Sequence, residues 1–174
     1  MMKRLLAVTG ALLVVPFFIS RRSRVVRNIW IHADPAAIFA HLNRPGAWLE
    51  WAFRQPPLET AVTETSLTWT TPCGPRHLEL LGGAENRHIG YTLEINGHRF
   101  EGVVTLVPLG NATRVLWAGW WIGDVNPYAR YGDLVSRWRL GRMFDRGLQR
   151  LRALVETEAD PFDPASEDAQ WNVA

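Results

Sequence analysis

The pattern of apolar and polar positions divides the chain into four parts. Residues 5–19 form an unbroken apolar run. From Leu58 to Gly123 apolar residues recur at every second position between turn residues, which is typical of antiparallel strands. From about residue 127 to about residue 157 the period becomes helical, and the chain that follows is acidic and contains two prolines. The pattern therefore predicts a sheet followed by one long helix.

The alternating region predicts six strands, and the turn residues that separate them suit an antiparallel meander. Asn96-Gly97 is its strongest hairpin signal. An earlier strand is predicted by VVRNIWI, and it ends at Asp34-Pro35, where Asp34 can cap a helix and Pro35 can occupy its first position. AAIFAHL and NRPGAWLEW then predict two short helices. The six strands are predicted over 58–64, 66–71, 76–82, 88–95, 98–107 and 112–122.

The helical region predicts one helix of about thirty residues, from near Pro127 to near Thr157. Its arginines fall mostly outside a single apolar face. Gly141 and Gly147 each cost ~1 kcal/mol relative to alanine inside a helix, so they indicate close approach to the sheet or to a ligand. The predicted apolar face consists of Leu134, Trp138, Gly141, Phe144, Leu148, Leu151 and Val155.

The apolar run at 5–19 predicts a membrane anchor. It is flanked by Lys3 and Arg4 before it and by RRSR after it, and no small-residue cleavage site follows. As a helix it would span about 22 Å, and flanking basic side chains can close the gap to a bilayer core of roughly 30 Å. A cleaved signal and an amphipathic or soluble segment are the alternatives. The side of the membrane stays open, because basic residues flank both ends.

Length and composition predict a single folded domain with two additional ends. The chain has 174 residues, of which 47% are hydrophobic, which is enough for one core and too little for two. The prediction is an anchor or signal with a basic linker at 1–24, a domain at 25–158 and a disordered acidic tail at 159–174. The net charge of +2 and the lack of a nucleic-acid-binding motif argue against a nucleic-acid partner. Cys73 is the single cysteine, which excludes an internal disulfide, and we expect no metal or cofactor.

No catalytic motif is present in the sequence. The fingerprints of hydrolases, zinc proteases, P-loop proteins and dinucleotide-binding proteins do not occur. Arg99 and Glu101 share one face of a predicted strand, which is typical of surface charge pairs. His98 is the best candidate for a buried titratable group, although its position beside the Asn96-Gly97 turn also suits a solvated side chain.

Three segments carry a resemblance to a known family. IWIHADPAAIFAHLNRPGAWLEW, LVPLGNATRVLW and MFDRGLQRLRALVE resemble the opening, the late strand-turn-strand and the closing helix of the SRPBCC superfamily, which includes START-like and polyketide cyclase/dehydrase proteins. The resemblance extends from Val25 to Glu158. It implies an α+β helix-grip fold, in which a curved antiparallel sheet of six to seven strands wraps around a long C-terminal helix, with two short helices after the first strand.

The same resemblance implies a hydrophobic small molecule or lipid bound between the sheet and the long helix. Val115 and Trp117 would then point inward, and Trp120 would lie on an apolar outer face that could contact a membrane or a second copy in a homodimer, or be covered by the ends of the chain. Whether the many rings fill the grip or line a pocket stays open. The expected ligand-binding residues are Phe39, Trp48, Trp51, Trp69, Tyr91, Phe100, Val104, Trp117, Trp138 and Phe144.

Three functions are compatible with the sequence. The first is a membrane-tethered domain that binds a hydrophobic molecule without chemistry. The second is a polyketide cyclase/dehydratase-like enzyme, for which the resemblance suggests Tyr91, His98 and Arg99 by residue type. The third is a non-catalytic protein-interaction module with a filled core. Whether the chain is an enzyme stays open, with binding alone favoured.

Overall fold

The computed structural model describes residues 20, 22–53, 57–123, 126 and 130–159. Strand β1 (Arg22–Ile31) is followed by helix α1 (Pro35–Leu42), a single 3-10 turn (Pro45–Ala47) and helix α2 (Trp48–Trp51). Six strands and helix α3 (Arg130–Ala159) complete the described chain. The six strands are β2 (Glu59–Val62), β3 (Ser66–Thr71), β4 (Gly74–Ala84), β5 (His88–Ile95), β6 (His98–Leu109) and β7 (Ala112–Ile122).

Among the described residues, seven strands form one curved antiparallel sheet in the order β1-β7-β6-β5-β4-β3-β2. Strands β2 to β7 form a meander, and β1 pairs with β7 so that Arg22 lies opposite Ile122 and Ile31 lies opposite Thr113. Asn96 and Gly97 have φ angles of 50° and 78°, which is the left-handed geometry of a tight hairpin turn. The predicted helix-grip fold is confirmed.

Helix α3 packs on one face of this sheet, which we call the inner face. On β7 the inner face carries Val115, Trp117, Gly119 and Trp121, as alternation predicts, and all four are buried. At Gly147 a Cβ atom would lie 2.8 Å from the indole of Trp117. Glycine is therefore what lets the helix approach the strand, as the sequence indicates.

Two details of the helices differ from the sequence-based expectation. Asp34 precedes α1 in an extended conformation, but its side chain forms no capping hydrogen bond, so Pro35 alone marks the helix start. The described part of α3 begins at Arg130, and residues 127–129, where the start was predicted, lie outside the described residues.

Trp138 is not buried, although it belongs to the predicted apolar face of α3. Its side chain is 60% exposed, whereas Phe144 and Val155 further along that face are each 1% exposed. The charged side chain of Arg27, rather than an apolar one, meets the helix at Gly141, where a Cβ atom would lie 2.6 Å from the guanidinium. The Trp138 ring instead lies 4.8 Å from the guanidinium carbon of Arg142.

Within the described ranges, no helix is both long enough and apolar enough to cross a membrane. The predicted anchor at 5–19 and most of the predicted acidic tail at 159–174 lie outside those ranges. The outer face of β7 keeps an apolar exposed end, where Trp120 is 39% and Ile122 is 74% exposed. The homodimer through Trp120 stays a prediction.

Candidate ligand-binding site

The centre of the grip is filled by aromatic rings. The ring centroids of Trp117 and Phe144 are 4.0 Å apart and their planes differ by 7°. Trp51 packs against Trp117 at 5.0 Å and against Trp48 at 4.6 Å, and Tyr91 packs against Trp48 at 5.2 Å. These five predicted ligand-binding residues are 0–2% exposed. They contact one another, so the middle of the grip is a packed core.

Tyr91 is committed to this core by hydrogen bonds. The indole N–H of Trp117 donates to the phenolic oxygen of Tyr91 at 2.7 Å, and the phenol donates to the carbonyl oxygen of Ala118 at 3.4 Å. Burial raises the pKa of Tyr91 well above its usual value, and the hydrogen bond from Trp117 opposes this only in part. The phenol is neutral, and its oxygen already accepts one hydrogen bond and donates another. It is therefore suited to a structural role rather than to acid-base chemistry.

The rest of the predicted inner set lies around this core. Val104 is fully buried, and Phe39 is partly buried against the core. Trp69 packs on Phe53 at 4.7 Å, a ring that the sequence-based set omits. The indole N–H groups of Trp51 and Trp69 are buried without a hydrogen-bond partner among the described residues. Each unpaired donor costs about 1–3 kcal/mol, which burial of a large ring offsets.

A large space lies at one end of the sheet, where β1 begins and β7 ends. This space, which we call the end hollow, is open to solvent and has a volume of about 1060 Å³. Phe100 and Trp121 share its inner side, with ring centroids 5.5 Å apart. Its lining residues are Arg22, Ser23, Arg24, Gly97, His98, Arg99, Phe100, Glu101, Trp120, Trp121, Ile122, Gly123, Gly132 and Ser136.

The end hollow combines an apolar interior with a mostly cationic lining. Arg22, Arg24 and Arg99 contribute positive charge, and Glu101 is the single carboxylate among the lining residues that the structure describes. Glu101 lies 3.7 Å from Arg99 and accepts a 3.3 Å hydrogen bond from the indole of Trp120. Such a site suits an oily molecule with an anionic end, because rings bury the apolar part while guanidinium groups meet the charge.

The structure separates the three residues suggested for catalysis. Arg99 and His98 are exposed and line the end hollow. Tyr91 lies opposite Gly102, four residues further along β6 than His98, which corresponds to roughly 13 Å. The buried phenol and the two basic groups therefore do not form one site.

Several lining residues are absent from the sequence-based set. Trp121 was detectable, because alternation places it on the same face as Trp117. Arg22, Ser23 and Arg24 were not, since they come near β6 and α3 only through the pairing of β1 with β7. Trp138 lies outside the end hollow and lines two smaller hollows beside α3.

Comparison with solved structures finds the same architecture in several proteins. Norcoclaurine synthase of Thalictrum flavum, solved with a transition-state analogue, superposes with a TM-score of 0.61 at 14% identity over 80% of this chain and 97% of that protein. A Mesorhizobium loti protein gives 0.59 at 16% identity over 78% and 98% of the two chains. No family model and no curated sequence matches this chain.

A third similar structure is the di-domain ARO/CYC protein StfQ of the steffimycin biosynthetic pathway. It superposes with a TM-score of 0.64 at 11% identity over 79% of this chain, which spans about half the length of StfQ. At such identities the likeness concerns the fold. The three comparisons support the architecture that the three sequence segments indicate.

Proposed function

We propose that this chain, whose fold is the helix grip of the SRPBCC superfamily, binds a hydrophobic small molecule or lipid in its end hollow. The observation that carries the proposal is the hollow itself, which brings Phe100 and Trp121 to a space open from outside. Its volume of about 1060 Å³ accommodates a molecule of ordinary ligand size. Apolar burial at roughly 25 cal/mol per Å² would drive binding.

The binding region proposed here lies at the end of the grip rather than in its middle. The central rings are in contact, so a ligand there would have to separate Trp117 from Phe144. The end hollow requires no such rearrangement. Of the predicted ligand-binding residues, Phe100 is therefore the one that lines the end hollow. His98 and Arg99 lie beside it as polar groups at the mouth of the end hollow.

The proposal includes a membrane tether formed by residues 5–19. The described residues begin at Ser20, and β1 begins at Arg22, which lines the end hollow. An anchor that ends at residue 19 would hold the hollow close to the bilayer, where an oily ligand is concentrated. The chemistry of the hollow requires neither a metal nor a cofactor for binding.

A second candidate function is a protein-interaction module with a filled core. The close packing of Trp48, Trp51 and Trp117 favours it, since the centre of the grip then serves stability alone. An enzyme of the cyclase/dehydratase kind would have to work with His98 and Arg99 without Tyr91. Ligand binding at the end hollow distinguishes the first proposal from the interaction module.

Quenching of tryptophan fluorescence tests the binding proposal. The full chain in dilute detergent is titrated with dibromostearate, whose bromine atoms quench nearby indoles, and with stearate as the non-quenching analogue. We expect saturable quenching by the brominated acid that stearate displaces. Trp121→Phe should remove a large part of the quenched signal, because Trp121 lines the end hollow.

Trp30→Phe is the matched control. Trp30 is 44% exposed near the other end of β1 and does not line the end hollow, so its removal should leave the quenched signal unchanged. Quenching that rises without saturation, or that is the same in both variants, would refute binding at the end hollow and favour the interaction module.

A further inference from the structure

The surface around the end hollow continues along the N-terminal half of α3. The end hollow shares Arg24 with a second hollow of about 450 Å³ beside β1. This second hollow shares Trp138 with a third, of about 350 Å³, on the far side of α3. The three hollows therefore form one connected surface, which we call the basic end. Its principal residues are Arg22, Arg24, Trp120, Ile122, Arg137, Trp138, Arg139 and Arg142, and we include the exposed Val135 from the same part of α3.

The basic end has a strong excess of positive charge. Among the described residues that line the three hollows, Glu101 is the single carboxylate, and it lies beside Arg99. Arg137, Arg139 and Arg142 take part in no ion pair with another residue that the structure describes. The nearby carboxylate of Asp145 is held by Arg27 at 3.0 Å. These three arginines are exposed and available to an anionic partner.

The basic end also carries exposed apolar and aromatic side chains. Trp138 is 60% exposed, and its ring lies against Arg142. Ile122 and Val135 are 74% and 49% exposed. Tryptophan and arginine are the side chains that bridge the headgroup region, because each joins an apolar body to a group that binds water or phosphate.

The path of the chain points to the same partner. The predicted apolar segment at 5–19 ends directly before Ser20, and β1 enters the sheet at the basic end, with Arg22 opposite Ile122. The far end of α3 is different, since Glu156 and Glu158 lie there. Glu156 pairs there with Arg152 at 2.9 Å. Unbalanced positive charge is thus concentrated in the half of α3 next to the predicted membrane segment.

We infer that the basic end docks on the anionic headgroups of a lipid bilayer. The arginines contact lipid phosphates, while Trp120, Trp138 and Ile122 enter the interface. This inference deepens the proposed function and rests on it for the role of the hollow, because docking turns the mouth of the end hollow toward the bilayer. An oily ligand would then pass between membrane and protein without crossing water.

Site-specific fluorescence measures this orientation in the full chain. Ile122→Cys and Leu109→Cys are prepared separately with Cys73→Ser, and each new cysteine is labelled with a polarity-sensitive dye. Leu109 is exposed at the opposite end of the sheet, about 33 Å from Ile122 along the strands. The labelled proteins are reconstituted in phosphatidylcholine vesicles with and without phosphatidylglycerol, and quenching by nitroxide-labelled lipid is recorded.

We expect quenching at position 122 to exceed that at position 109 by about threefold or more, and to increase with phosphatidylglycerol. Arg137→Gln with Arg139→Gln should abolish the increase. Arg87→Gln with Arg114→Gln removes the same charge from the opposite end of the sheet and should leave the increase intact. An inserted segment 5–19 would by itself bring position 122 nearer the bilayer than position 109, because Arg22 lies opposite Ile122. The increase with phosphatidylglycerol, and its loss in the Arg137→Gln with Arg139→Gln variant, are therefore the readings that report docking.

Equal quenching at the two positions, or quenching at position 122 that is independent of phosphatidylglycerol, overturns the inference. The inference is also overturned if the variant Arg137→Gln with Arg139→Gln loses binding of a labelled RNA oligonucleotide but keeps the vesicle signal unchanged. The partner of the basic end is then a nucleic acid. The dibromostearate titration is independent of these readings. If the vesicle measurements show docking but dibromostearate does not quench tryptophan fluorescence saturably, the proposed ligand binding is refuted and the docking inference is retained.

Discussion

The indole N–H of Trp117 donates a 2.7 Å hydrogen bond to the phenolic oxygen of Tyr91 in the middle of the grip. The two residues lie on β7 and β5, which are separated in the sheet by β6. Tyr91 crosses this gap because β6 has Gly102 opposite it, where any Cβ would collide with the phenol ring. The pair links β5 to β7 across β6, in a region where solvent does not reach either partner.

Tyr91→Phe should destabilise the protein by about 1–3 kcal/mol. The substitution keeps the ring but leaves the buried indole N–H of Trp117 without an acceptor, and an unpaired buried donor carries this cost. The free energy of unfolding, measured by urea denaturation, tests the expectation. A loss well below this range would mean that the indole finds another acceptor.

The double variant Tyr91→Phe with Trp117→Phe serves as the control. It removes donor and acceptor together, so its destabilisation should be smaller than the sum of the two single losses. Strict additivity would contradict a coupling between the two side chains.

Stability should fall in alkaline solution because of Tyr91. Burial raises the pKa of this phenol in the folded state, so the unfolded chain loses the proton first, near pH 10. Above that pH the folded state binds more protons than the unfolded state, and the free energy of unfolding decreases by up to ~1.4 kcal/mol per pH unit. Urea denaturation at a series of pH values measures the slope.

Comparison with Tyr91→Phe isolates the contribution of this phenol. The other tyrosines are common to both proteins, so the difference between the two slopes belongs to Tyr91. Parallel curves for the two proteins above pH 10 would contradict the assignment.

Gly147→Ala should destabilise the protein even though alanine is the better helix former. The added Cβ would lie 2.8 Å from the ring of Trp117, which is stacked on Phe144 and has no room to move. Overpacking of this kind costs about 1–3 kcal/mol, which outweighs the gain in helix propensity of ~1 kcal/mol. Thermal denaturation compares the variant with the parent protein.

Gly132→Ala is the matched substitution on the same helix. Apart from the neighbouring turns of α3, no atom of the described residues lies within 4 Å of the Cβ that alanine would add at this position, so the change should be neutral or stabilising by up to ~1 kcal/mol. If Gly147→Ala were as stable as Gly132→Ala, the close contact between α3 and β7 would be wrong.

The sequence predicts much of the fold because the signals involved are local. The Asn96-Gly97 pair requires left-handed backbone at two successive residues, and both have positive φ. Alternation assigns Trp117 and Trp121 to one face of β7 without reference to any other strand. The exposure of Trp138 was not predictable in this way. The helical period shows which residues share a face of α3, but it does not show how far along the helix the sheet covers that face.

The candidate site was predicted less well than the fold. The sequence identifies many rings for the inner face, yet the ones it favours, such as Trp51 and Phe144, fill the core. The end hollow depends on Arg22 and Arg24, which are distant in sequence from Phe100 and approach it only through β7. No local pattern marks a residue as the lining of a hollow formed by three strands and a helix.

By itself the sequence determined the order of the elements, the inward face of β7 and the need for glycine where α3 meets the sheet, because each of these depends on spacing between neighbours in the chain. Only the tertiary structure decided that the rings of α2, β5, β7 and α3 fill the middle of the grip and that space remains at its end. The physical reason is that empty volume is what remains after side chains from distant segments have packed, and this remainder is a property of the whole fold.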